Sequence, residues 1–361
     1  MSVCQIRMSS YRRSTILRLL FGVFIVMLIL VALSDYNIQH RLKRKMIKTR
    51  TRSSSPVDCA SLIKGDEAEQ RRADEYQKDH PKKATSNVEY INMTRNCDKF
   101  VKTRGYITSS SSEEEKNFPL AFSILVFKDV EQFERLLRAV YRPQNVYCVH
   151  VDKKAESTLH EAVNDIARCF SNVLVLQNNV DVTWGTYSVL EPDILCMEAL
   201  LKYRKWKYFI NLTGQEFPLK TNWELVQILK ALKGTNIVQA TIRFGNPERL
   251  AGKPPPPIHV TPIKGSVHIV VRREFVDYAI NNENAQKLLN WSKLIPHASE
   301  IFFSTLNHNP QLGIPGTYLG EPETNRKKYP LINRYKVSDY DFILLLFKHL
   351  TFRLISGLTA H

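Results

Sequence analysis

Three carboxylates in this chain stand where residue type and spacing could do chemistry: Asp152, Glu216 and Glu300. Asp152 directly follows the apolar run Asn145–Val151, which reads as a strand. Ligands of open α/β sheets bind beyond the carboxyl ends of the strands. An acid there suits a ribose or a uracil edge, and equally suits an ordinary strand-end turn. Glu216 lies in YFINLTGQEFPLKTN (208–222), where a strand runs into Gly214. Glycine lets the backbone approach a ligand closely; a tight turn ahead of a helix is the plain alternative. Glu300 belongs to His297-Ala298-Ser299-Glu300, just before the apolar IFFSTL. Ser299 would cap that helix, and Glu300 would fall in its first turn, where the macrodipole favours an acid. Asp339-Tyr340-Asp341 has a spacing that can hold a divalent metal against a diphosphate. It lies in a tail of different composition, and no metal ligands are assigned. P-loop, G-x-G-x-x-G and H-E-x-x-H motifs are absent.

The elements that must position these acids alternate. Ala121–Phe127 is an almost unbroken apolar run, as in a strand buried on both faces. Val130–Tyr141 repeats apolar residues at helical spacing (Phe133, Leu136, Leu137, Val140), and Pro143 stops it. Helices are predicted over Ser157–Cys169, Tyr187–Tyr203, Asn222–Leu232 and Phe275–Leu294, and strands over Val173–Leu176, Trp206–Asn211 and Val267–Val271. Pro192 must then lie in the first turn of its helix or kink it, and Asn222 is a plausible cap. Strands alternating with helices predict an α/β fold with a mostly parallel sheet.

Composition sets the frame. The chain has 361 residues, of which 43% are hydrophobic, enough for a core and against a disordered protein. Its net charge is +16, with one dense run at Arg41, Lys43, Arg44, Lys45, Lys48, Arg50 and Arg52. That run follows the apolar stretch Leu19–Leu33, so it reads as a juxtamembrane stalk, and no nucleic-acid partner is expected. With Ile16 and Leu17 the stretch reaches spanning length, and Arg18 snorkels; an uncleaved anchor is expected. Basic residues flank it on both sides, more densely after it, so charge leans against a luminal C-terminal body. Sequons at Asn92, Asn211 and Asn290, and cysteines 59, 97, 148, 169 and 196 after the span, point to the secretory lumen. Asn211 ends an apolar run, which argues for burial. Five cysteines are an odd number, and spacing alone leaves their pairing open.

Taken together these blocks resemble the core 2 and I-branching β-1,6-N-acetylglucosaminyltransferases, glycosyltransferase family 14. The resemblance rests on FKDVEQFERLLRAVYRPQNVYCVHVDKK (127–154), Trp184-Gly185, Cys196-Met197, TGQEFPLKTN, the PPPP tract at 254–257, VHIVVRREFVDYAI (267–280) and Glu300. It covers about Cys59 to Lys336. It implies a type II Golgi membrane protein with a GT-A-like domain. The donor would be UDP-N-acetylglucosamine, and the acceptor the 6-hydroxyl of a galactosyl-β-1,3-N-acetylgalactosamine O-glycan on a glycoprotein. By resemblance Glu300 is the base of a single inverting displacement, in a site partly desolvated to raise its basicity. Asp152, Trp184 and Val126 fall on the donor, and Gln239 and Glu216 on the acceptor. Cofactors are expected to be none: the family works without a metal and uses basic side chains near its C-terminus at the leaving diphosphate. Cys97–Cys169 and Cys148–Cys196 match two family disulfides, and Cys59 matches a cysteine whose partner lies near the family C-terminus. Asn92 and Asn290 are the expected glycosylation sites.

The implied organisation is a cytoplasmic tail (1–13), a signal-anchor (14–34), a stem (35–117), an incomplete transferase domain (118–336) and a divergent tail (337–361). The chain departs from the family in three places. The match stops at Asn333-Arg334-Tyr335-Lys336, before the family's basic diphosphate residues. The segment between Asn236 and Pro254 is shorter, and Gln239 stands near the expected acceptor acid. His-Ala-Ser replaces Ser-Pro-Asp before Glu300. Two alternatives therefore stand beside the transferase: a catalytically inactive product of the same family, and a xylosyltransferase-like enzyme.

Overall fold

The computed structural model describes residues 56–81, 83–243, 247–324 and 332–334, together with Met27. The signal-anchor span, the basic run and the Asp339/Asp341 pair lie outside the described residues, Met27 excepted. Among the described residues no helix is long and apolar enough to cross a membrane. The chain divides into two compact units between Lys83 and Ala84.

The first unit holds α1 (Cys59–Ile63) and α2 (Glu67–Asp79). Each starts on an aspartate whose carboxylate takes orphan N–H groups: Asp58 from Ala60, and Asp66 from Ala68 and Glu69.

The second unit opens with α3 (Asn87–Thr94), α4 (Cys97–Arg104) and the short α5 (Glu113–Lys116). These residues read as stem in the sequence. Tyr90, Phe100 and Tyr106 nevertheless belong to the main core, so the folded body begins well before Phe118. A few large aromatic residues, which bury 150–250 Å² each, do the work that a low apolar density concealed.

The strands are β1 (Leu120–Val126), β2 (Val146–Val151), β3 (Val173–Val175), β4 (Tyr208–Thr213), β5 (Ile237–Val238) and β6 (Ile269–Arg272). They form one mixed sheet in the order β3-β2-β1-β4-β6-β5. β1 pairs in parallel with β2 and β4, and β2 with β3; β6 runs antiparallel to β4 and β5. The mostly parallel α/β sheet expected from the alternation is therefore what forms.

Both faces are covered, and the side chains sort by the two-residue period. Phe122, Ile124, Tyr147, Val149 and Ile210 pack on one face with α6 (Val130–Val140) and α7 (Ser157–Arg168). Ala121, Cys148, Phe209, Ile269 and Val271 pack on the other with α8 (Glu191–Leu201), α10 (Arg273–Asn281), α11 (Glu283–Ser292) and α12 (Phe302–Asn307). Pro192 lies in the first turn of α8, where its missing N–H costs nothing. Two disulfides bind the layers: Cys97–Cys169 joins α4 to the end of α7, and Cys148–Cys196 joins β2 to α8.

Three local readings change. The helix α9 (Asn222–Ala231) is capped by Thr221 rather than Asn222, in a capping box with Glu224. The stretch Phe275–Leu294 is two helices, α10 and α11, because Asn282 leaves the helical region and caps the second. Ser299 does not cap α12: Ala298–Glu300 is a separate 3₁₀ turn, and Ile301 precedes the helix without a side-chain cap.

Candidate functional site

The carboxyl ends of β1, β2 and β4 meet in one place, and the sequence-predicted acids Asp152 and Glu216 are there. Asp152 is 5% exposed. Its backbone N–H donates to the Val126 carbonyl at 2.8 Å, so Val126 serves as its backbone support while the Val126 side chain packs in the core. The Asp152 carboxylate accepts the Lys154 N–H at 2.9 Å and faces the Lys154 ammonium at 3.2 Å. That ammonium also reaches Asp181 and the Val182 carbonyl, each at 2.6 Å. Lys154 thus ties the strand end to the loop that carries Trp184.

The same loop is held by His150. Burial pushes its imidazole down to about 4, so the ring is neutral at pH 7, and its Nε2 accepts the Val180 N–H at 2.9 Å. Trp184 itself is 84% exposed, and its indole meets the His297 ring edge-on. The His297 N–H donates to the Gly185 carbonyl at 2.7 Å. His297 has φ of 56°, a left-handed conformation uncommon for a non-glycine residue, and it opens the turn that ends in Glu300. The structure therefore brings Trp184 and Glu300 into one neighbourhood, through His297, which the sequence reading named without giving it a role.

The Glu300 side chain is about a third exposed, at 32%. Its Oε2 accepts a hydrogen bond from Arg249 at 2.6 Å and faces Lys264 at 3.8 Å. Its Oε1 has no hydrogen-bond partner among the described residues. Gln239 joins this group through its backbone. A Cβ added at Gly265 would lie 2.1 Å from the Gln239 carbonyl, so only glycine fits there. The Gly265 N–H donates to the Glu300 carbonyl at 2.6 Å.

Glu216 belongs to the sheet end rather than to the Glu300 group. One oxygen accepts the Thr213 N–H at 2.8 Å, and the other accepts Arg334 Nε at 2.5 Å. Arg334 also donates to the Asn211 carbonyl. Beneath lies an acid that sequence reading missed: Asp193 of α8 accepts from Ser123 at 2.6 Å and from Asn211 at 2.8 Å. Burial pushes Asp193 up to about 6. Its helix carries two further acids, Glu191 and Glu198, so the sequence did not single Asp193 out. Arg249 and Lys264 lay in an irregular segment that offers no periodicity to read.

The Asn211 sequon is occluded, since Asn211 is 3% exposed and its amide is spent on Asp193 and the Val267 carbonyl. Asn92 and Asn290 are exposed, on α3 and α11. Cys59 is a free, exposed thiol. Among the described residues no cluster of three or more His, Cys, Asp or Glu side chains is arranged to hold a metal ion.

The site thus combines an acid at the carboxyl ends of the central parallel strands, an aromatic loop beside them and a second carboxylate across that loop. Comparison with known proteins places it more closely. The profile of the Branch, or Core-2/I-Branching enzyme, family matches residues 120–326, and the chain belongs to that family. It is 37% identical over 284 residues to a β-1,3-galactosyl-O-glycosyl-glycoprotein β-1,6-N-acetylglucosaminyltransferase of Bos taurus, covering 73% of this chain and 66% of the relative. It is 34% identical over 272 residues to the enzyme of that name numbered 3 from Rattus norvegicus, covering 70% and 62%. A protein of the first name from Bovine herpesvirus 4 (strain DN-599) is 33% identical over 332 residues, covering 87% and 72%. The chain spans 66% and 62% of the lengths of the cattle and rat relatives.

Proposed function

We propose that this chain is an inverting β-1,6-N-acetylglucosaminyltransferase of the Golgi membrane. It would move N-acetylglucosamine from UDP-N-acetylglucosamine to the 6-hydroxyl of the galactosyl-β-1,3-N-acetylgalactosamine O-glycan of a glycoprotein. The domain is read as GT-A-like, and the N-terminal anchor as type II. The observation that carries the reading is Glu300. Two cations fix its Oε2 while Oε1 has no partner among the described residues, next to a loop whose exposed indole offers a face to a base or sugar.

In the reaction the acceptor 6-hydroxyl gives its proton to Glu300 Oε1 as its oxygen bonds to the anomeric carbon. The bond from that carbon to the β-phosphate oxygen breaks, UDP leaves with the electron pair, and the anomeric configuration inverts. Asp152 would take the uridine end of the donor and Trp184 would line its pocket. The backbone around Gln239 would border the acceptor. Transfer is read as metal-independent, with side-chain cations offsetting the charge on the departing diphosphate.

The test uses the full chain in detergent with UDP-N-acetylglucosamine, a core 1 disaccharide acceptor and EDTA. Product with a new β-1,6 linkage is expected. Glu300→Gln should lower kcat by roughly 10²–10⁴-fold, the usual contribution of a positioned base, while donor binding persists. An unchanged rate in this variant would remove Glu300 from the mechanism.

A further inference from the structure

At the opposite end of the sheet from Asp152 is a second concavity, of about 370 Å³, lined among others by Arg204, Lys207, Lys230, Lys233, Arg272 and Arg273. One acid, Glu274, shares the lining and holds Arg272 by two bonds of 2.7 Å. Lys230 pairs with Glu114. Arg273 stacks over Trp206 at 5.0 Å and donates to the Leu201 carbonyl. The exposed Arg204, Lys207 and Lys233 have no ion-pair or side-chain hydrogen-bond partner among the described residues.

The concavity is a built feature of the fold. The chain reverses after α9 through Lys233 and Gly234, with φ of 49° and 93°. A Cβ at Gly234 would lie 2.9 Å from Arg272 Nη1, so the glycine makes room for the guanidinium. A lysine in the left-handed region is strained, and such strain persists where surrounding structure fixes the backbone. Positions near the ends of α8 and α9 favour cations through the helix dipoles, but that effect does not gather three unpaired ones around one recess.

We propose that this groove binds an anionic oligosaccharide, one carrying sulfate or carboxylate groups on its sugars, at a site separate from the transfer site. The recess suits a compact anion with a carbon frame: Arg204, Lys207 and Lys233 stand around a lining that includes the half-buried Phe118. A lipid surface fits less well, because Trp206, Tyr208 and Leu229 are buried and leave no apolar anchor to insert. The separation from the donor end follows from the sheet. Tyr208 starts β4 and Gly214 follows its end, so the two ends lie about 20 Å apart at the usual rise per residue. A glycoprotein bearing several acidic glycans could then be held by one chain while another of its chains is extended. The choice of a sugar as carrier rests on the transferase reading; the binding itself is measured without donor, so failure of one does not entail failure of the other.

The experiment measures binding of a fluorescent sulfated octasaccharide, and of its desulfated, N-acetylated counterpart, to the full chain in detergent. The seven cations between Arg41 and Arg52 are changed to glutamine in every protein used, to remove their own attraction. The variant Arg204→Ala/Lys207→Ala/Lys233→Ala is compared with Arg95→Ala/Lys99→Ala/Arg135→Ala, which removes equal charge from exposed positions elsewhere. Binding of the sulfated probe only is expected. The groove variant should weaken it about tenfold or more, since three charge-assisted contacts to the probe are removed. The control should change it less than about twofold, and transfer to a neutral disaccharide should be unchanged in both. Equal loss in the two variants, equal binding of the two probes, or groove-dependent binding of anionic vesicles without binding of the octasaccharide would each overturn the proposal.

Discussion

The Trp184 indole meets the His297 imidazole edge-on with ring centroids 4.6 Å apart, and His297 opens the turn that ends in Glu300. This contact couples the exposed aromatic loop to the carboxylate proposed as base. A ligand that reorders Trp184 therefore acts on the turn that presents Glu300.

Trp184 is 84% exposed, so its loss should leave stability nearly unchanged while donor binding weakens. Trp184→Ala is expected to raise the donor KM by roughly 5- to 150-fold, from ~1–3 kcal/mol of ring stacking. Its Tm should match the parent, because surface substitutions usually change stability by less than about 0.5 kcal/mol. A large fall in Tm with unchanged KM would assign Trp184 to the scaffold instead.

Arg249 holds one oxygen of Glu300 at 2.6 Å. Arg249→Ala should lower kcat by on the order of 10- to 100-fold, the effect of loosening a reacting group by a fraction of an ångström to an ångström. Arg249→Lys should restore part of the rate, whereas a change confined to KM would make Arg249 a binding residue only.

The disulfide Cys148–Cys196 closes a loop across 48 residues, between two fully buried positions in β2 and α8. Replacing both cysteines with alanine is expected to cost about 2–4 kcal/mol, because the unfolded chain regains the entropy that the link removes. Denaturant unfolding should show a lower midpoint with an equal or steeper slope; an unchanged midpoint would mean that packing alone holds the layers.

The buried Asp193 gives a pH dependence whose sign follows from its raised carboxyl. Its carboxyl is raised from 3.8 to about 6 by burial, against the pull of its bonds from Ser123 and Asn211. Protonated, it contributes stability that is fully present below pH ~4 and is lost as pH rises through about 6. The loss amounts to about 3 kcal/mol. Asp193→Asn should flatten that slope and melt higher at pH 7 than the parent. Parallel pH–stability curves for the two proteins would show that the acid is already charged in the fold.

Much of the sheet was legible in the sequence, since β1, β2 and the helices α6 and α7 carry strong apolar runs or an amphipathic period. The resemblance, not the spacing, paired Cys97 with Cys169 and Cys148 with Cys196. What stayed hidden has physical causes. Thr221 and Asn222 are both good caps, and only the reach of Glu224 back to the Thr221 N–H decides between them. The helices α3 and α4 have polar surfaces, so their aromatic anchors looked like stem. Arg249 and Lys264 act on Glu300 from segments 51 and 36 residues away in sequence, a distance no local pattern encodes.

The sequence by itself determined the kind of fold and the acids at the strand ends, because burial imposes a period that residue types must obey along the chain. Only the tertiary structure decided how Trp184 meets the Glu300 turn through His297, which oxygen of Glu300 the two cations engage, and that Glu216 is engaged by Arg334. Those relations join residues far apart in sequence, and they are set by packing and ion pairing in space rather than by any preference of the residues themselves.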